Sequence, residues 1–86
     1  MTVTINYFAW LRERTGISTE DVELPEQVST VAGLIDWLAT RGEEFEVFDQ
    51  HRELIQVAVD QQHQPDHGAD LENAREIALF PPMTGG

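Results

Sequence analysis

The residue types with the least ordinary chemistry stand at the end of the chain. Phe80-Pro81-Pro82-Met83-Thr84-Gly85-Gly86 runs from an apolar strand through two prolines to a Gly-Gly carboxylate. Glycine has no Cβ, so two in succession can thread a passage too narrow for any side chain. The prolines fix φ near −65° and remove two backbone donors, which ends a sheet ladder and holds the last four residues away from the domain. Other constellations are weaker. His63 and His67 stand four apart with Asp66 and Asp70 close by, a ligand spacing on a helix, but they fall in a stretch broken by Pro65 and Gly68 where too few ligands converge for zinc. His51 is a lone histidine in an acidic region and reads as a surface residue. Ser18, Ser29 and the threonines lie in no motif that would supply a histidine base, and no phosphate-binding glycine loop occurs. The carboxylates are scattered as on a solvated surface rather than paired as acid and base. By elimination the terminus is the candidate working end.

Composition narrows the partners. The 86 residues fit one domain, and with no cysteine the fold must be held by packing alone and cannot itself present a thiol or persulfide. Sixteen acidic residues face five basic ones, all arginine, for a formal net charge of −11. Nucleic acid and anionic membranes both require clustered cations, so neither is expected, whereas the acidic excess suits either a basic protein surface as partner or solubility alone. The absence of lysine removes the usual Schiff-base nucleophile and a common phosphate clamp. A phosphorylated substrate would therefore be held by another protein. No leader pattern and no run of about 18 apolar residues is present, and a cytoplasmic location is the default expectation.

Several elements must position that end. Val3, Ile5 and Tyr7 alternate with Thr4 and Asn6, which predicts a half-buried first strand. From Phe8 to Arg14 the two-residue period is lost and Phe8 and Leu11 stand three apart, predicting a helical turn that breaks at Thr15-Gly16. Residues 20–24 predict an antiparallel edge strand that stops at Pro25. Ser29 or Thr30 can cap a helix in which Val31, Leu34, Ile35 and Leu38 form one stripe, expected to end at Gly42 with Arg41 in its last turn. Gly33 in that helix suggests close packing against a neighbour, and Trp37 lies one position off the stripe. Residues 43–48 read as a turn or short helix. Ile55, Val57 and Val59 share a strand face, and residues 60–62 predict a reversal into a brief strand around His63. Glu76-Ile77-Ala78-Leu79-Phe80 is apolar almost throughout, which predicts a central strand covered on both sides. The order β-β-α-β-β-β fits an α+β two-layer domain.

Tyr7-Phe8-Ala9-Trp10-Leu11-Arg12-Glu13, the helix after Ser29-Thr30-Val31, the Val57-Ala58-Val59 strand and above all Phe-Pro-Pro-x-x-Gly-Gly at the end resemble the small, sulfur-carrier subunits of molybdopterin synthase. The resemblance implies a ubiquitin-like β-grasp fold, a mixed sheet of about five strands on one main helix, with first and last strands paired in parallel at its centre. It divides the chain into a β-grasp domain, 1–82, and a flexible tail, 83–86. It further implies that an E1-like enzyme uses ATP to adenylate Gly86, and that a persulfide donor then supplies the sulfur of a Gly86 thiocarboxylate. The large subunit, in a 2+2 heterotetramer, would use that sulfur on cyclic pyranopterin monophosphate. Gly85 and Gly86 would reach the partner's buried site, with Phe80, Pro81, Pro82, Met83 and Thr84 contributing tail and mouth contacts. On this reading the chain binds no cofactor or metal, and catalytic residues belong to the large subunit. Two alternatives share the fold: a thiamine- or tRNA-thiolation-type carrier, and a β-grasp interaction module or protein modifier whose diglycine forms an isopeptide bond. Asp60 and Asn73-Ala74-Arg75-Glu76 depart from the family's usual loop residues, Asn73 being able to take a left-handed position that glycine usually fills.

Overall fold

The computed structural model describes residues 2–82. Residues 83–86, which carry the expected tail, lie outside the described residues. The alternating segment at the start forms β1 (Thr2–Tyr7), with Val3, Ile5 and Tyr7 buried. The chain then turns into α1 (Ala9–Thr15), which stops at Gly16, whose φ of 75° is left-handed and whose N–H donates to Arg12 O at 2.8 Å. β2 (Thr19–Glu23) pairs antiparallel with β1 at one sheet edge, as the pattern predicts.

The capped helix is α2 (Val31–Ala39), with Thr30 Oγ1 accepting from Gly33 N at 3.1 Å and Val31, Leu34, Ile35 and Leu38 buried. It ends short of the expected Gly42: Thr40 closes it, donating from Oγ1 to Trp37 O, and Gly42 at φ 150° opens the next turn. Gly33 does not serve close packing against another element. A Cβ there would first meet its own cap, Thr30 Oγ1, at 3.3 Å. A 3₁₀ turn (Glu43–Phe45), α3 (Val47–Gln50) and a second 3₁₀ turn (Arg52–Leu54) come next. Phe45 and Phe48 stack there with centroids 6.2 Å apart, and Tyr7 meets both edge-on.

β3 (Gln56–Val59) turns through Asp60 and Gln61, both at positive φ, into β4 (Gln62–His63). After an irregular stretch β5 (Glu76–Phe80) enters the centre of a sheet ordered β2-β1-β5-β3-β4. It runs parallel to β1 and antiparallel to β3. One expectation about β5 fails. It is central, but only Ile77 and Leu79 face the helix layer and are buried, while Ala78 and Phe80 look out from the opposite face and are partly exposed among the described residues. A near-continuous apolar run reads as two-sided burial unless its outward members serve another contact.

Candidate functional site

Parallel pairing fixes where the working end leaves the fold. β1 and β5 run the same way with Tyr7 level with Leu79, so the chain departs after Phe80 at the end of the sheet where β1 hands over to α1. Phe8 N donates to Leu79 O at 3.0 Å and closes this corner. Around it lies an open groove of about 820 Å³, bordered by Phe8, Ala9 and Trp10 from the β1–α1 junction and Leu54 from the turn before β3. Ala78 and Phe80 form its floor, and Pro81 and Pro82 carry it toward the terminus. Every one of these side chains is apolar. Phe8 and Leu54, at 48% and 38% exposure, are the exposed large hydrophobic residues among those described, and both line this groove.

Local structure explains the exposure. The alternation that turns Val3, Ile5 and Tyr7 inward turns Phe8 outward. Ala9 then adopts φ 53°, a left-handed conformation that a non-glycine residue holds only at a cost, and this bend sets Trp10 beside Phe8. Two histidines stand at the rim: His51 meets Trp10 edge-on at 6.0 Å, and His63 lies 5.8 Å from Phe80 with Nε2 2.9 Å from Gln56 Oε1. His51 is thus half-buried against an aromatic ring rather than free on the surface. His67 donates from Nε2 to Ile55 O at 3.1 Å, so His63 and His67 serve separate contacts.

One polar cluster braces the corner from behind, and a second lies at the far end of β5. Arg41 grips both oxygens of Glu20, at 2.7 and 3.0 Å, while its guanidinium lies over Phe45 and Trp37 at 4.6 and 5.2 Å. Tyr7 donates its phenol to the same Glu20 at 2.6 Å. Burial and the adjacent carboxylate push the Tyr7 hydroxyl far above its usual range, and the Arg41 hydrogen bonds hold Glu20 below the ordinary carboxylate range. At the other end of β5, Asp60 Oδ1 accepts from Glu76 N and Arg75 N, and these backbone donors hold its carboxyl below the usual range as well. Asn73, at φ 65°, supplies the left-handed residue that shapes this entry.

Among the expected site residues, Phe80, Pro81 and Pro82 come together in the groove, and Met83, Thr84, Gly85 and Gly86 lie outside the described residues. Sequence reasoning does not single out Phe8, Trp10 and Leu54 as site residues. A signal for Phe8 is present, since it is the outward position of a strand whose inward set ends at Tyr7.

A central parallel pair flanked by antiparallel strands, with the main helix across one face, defines a ubiquitin-like β-grasp domain. The chain belongs to the ThiS family, which matches residues 5–86. The molybdopterin synthase sulfur carrier subunit of Haemophilus influenzae is 31% identical over 84 residues, spanning 98% of this chain and 99% of its own. Among solved structures, molybdopterin converting factor subunit 1 from Pyrococcus furiosus superposes with a TM-score of 0.71 at 22% identity, covering 96% of this chain and 99% of its own. SAMP1 from Haloferax volcanii gives 0.66 at 27% identity over the full length of both chains.

Proposed function

We propose that this chain is the sulfur-carrier subunit of a molybdopterin synthase and that Gly86 is its reacting residue. The observation that carries the reading is the exposed apolar groove built around the exit of β5, which offers a partner apolar surface at Phe8, Leu54 and Phe80 beside the start of the terminal segment. The family match through residue 86 and the name of the Haemophilus influenzae relative point the same way.

The chemistry is that of an acyl carrier. A carboxylate is a poor electrophile, and ATP bound by an E1-like enzyme converts it to an acyl adenylate with release of pyrophosphate. A persulfide sulfur then attacks the acyl carbon, AMP leaves with the bonding electrons, and a thiol cleaves the remaining S–S bond to free the thiocarboxylate. The large subunit, in a 2+2 assembly, draws on this sulfur to build the dithiolene of cyclic pyranopterin monophosphate over two rounds. This chain contributes docking and reach. Its groove supplies apolar contact, its acidic surface favours a partner with a basic face, and the two glycines pass where side chains would not.

Removal of Gly86 tests this directly. The truncated chain is expected to keep its thermal midpoint and its binding to the large subunit while losing sulfur transfer in a reconstituted synthase. Retained transfer would place the reacting group elsewhere.

A further inference from the structure

We propose that the chain is an acyl carrier with no efficient side-chain acceptor of its own: its side chains include no amine or thiol to take the activated terminus of another copy, so, the α-amine apart, the acyl group is kept for nucleophiles that other proteins supply. This rests on the terminal activation proposed above and concerns what that terminus can meet. An acyl adenylate reacts with amines as well as with sulfur. Attack by an ε-amine forms a C–N bond and breaks the acyl C–O bond to the phosphate; AMP departs with the electron pair and the amine's proton passes to solvent. Such a step between copies would consume the carrier as covalent dimers.

The 86 residues leave the α-amine as the one amine that could take that path. They contain no lysine and no cysteine, and their five cations are arginines, whose guanidinium stays protonated and does not act as an acyl acceptor. The groove at the working end is equally inert, since Phe8, Trp10, Leu54, Phe80, Pro81 and Pro82 carry neither amine, thiol, hydroxyl nor imidazole. The nearest imidazole, His63, directs Nε2 at Gln56, and His51 packs edge-on against Trp10. Tyr7 and Thr15, both buried, donate their hydroxyls to Glu20 and to Leu11 O, and the exposed Thr40 donates to Trp37 O. The surface that escorts the electrophile thus has little with which to trap it.

The test uses a Gly86 thioester made by intein cleavage, so its result depends neither on an activating enzyme nor on sulfur transfer, and it stays separate from the fate of the Gly86 truncation. N-acetylated thioester chain is mixed at pH about 8.5 with N-acetylated carboxylate-form copies, and products are read by intact mass. Wild-type acceptors are expected to give no covalent dimer while the thioester hydrolyses. Acceptors carrying Arg12→Lys or Arg75→Lys, both exposed positions, are expected to give an amide-linked dimer on the order of tenfold above the wild-type background. A side-chain-linked wild-type dimer forming as fast as the lysine variants would overturn the proposal. Lysine variants as unreactive as wild type would overturn it too, because the missing amine would then not be what protects the terminus.

Discussion

Phe8 shows how one exposed ring can be informative. Single exposed hydrophobic residues are ordinary, but Phe8 and Leu54 border one groove at the chain's exit and are the large hydrophobic residues left open among those described. An aromatic anchor at the centre of an interface typically carries about 2 kcal/mol or more. Phe8→Ala is therefore expected to weaken binding to the large subunit by roughly 30-fold, read by calorimetry, with little change in the midpoint of unfolding. Glu20 gives a second prediction at this scale. Its folded pKa lies below its unfolded value, so its contribution is present above the unfolded value and is lost as pH falls through the folded one. Protonating the other carboxylates relieves self-repulsion and acts in the opposite sense, so the comparison must be with Glu20→Gln. The wild type's stability advantage over that variant, measured by urea midpoints, should shrink below about pH 4.5.

Elements carry the geometry, and here the sequence was legible wherever a period was clean. The alternation of Val3, Ile5 and Tyr7 and the stripe of Val31, Leu34, Ile35 and Leu38 each correspond to a single buried face, and the structure has both. The end of α2 was less legible because Thr40 could stop the helix as well as Gly42, and Arg41 had a better partner in Glu20 than in the helix dipole. The groove was barely legible. Phe8, Leu54 and Phe80 are far apart in the chain, and the pairing that unites them, β1 beside β5 beside β3, is non-local. The apolarity of β5 implies burial on both faces, yet Ala78 and Phe80 remain partly exposed on the face opposite the helix layer. The strained joint is testable. Ala9 holds φ 53°, where glycine is at ease, so Ala9→Gly is expected to stabilise the fold by about 0.5–1 kcal/mol in chemical denaturation, with glycine's extra unfolded-state freedom offsetting part of the relief.

At the scale of the whole molecule, charge sets the conditions under which the domain is at its best. A net charge of −11 on 86 residues opposes compaction through self-repulsion, and no disulfide resists it. Screening shortens from about 30 Å at 0.01 M salt to about 3 Å at 1 M. Raising sodium chloride across that range should lift the thermal midpoint by roughly 4–8 °C, as expected for about 1 kcal/mol in a domain of this size. The same charge favours encounter with a basic partner at low salt, so docking should slow with ionic strength even as the free domain gains stability. The two trends together separate electrostatic steering from apolar anchoring in the groove.

The central claim is that the chain works by becoming a reagent at Gly86, and the mass of that residue tests it most directly. The intact chain is incubated with its cognate E1-like enzyme, ATP and a persulfide source, then weighed and fragmented. The expected result is a gain of about 16 Da, sulfur for oxygen, confined to Gly86. An unchanged mass alongside verified ATP-dependent adenylation, or a gain located at any other residue, would contradict it.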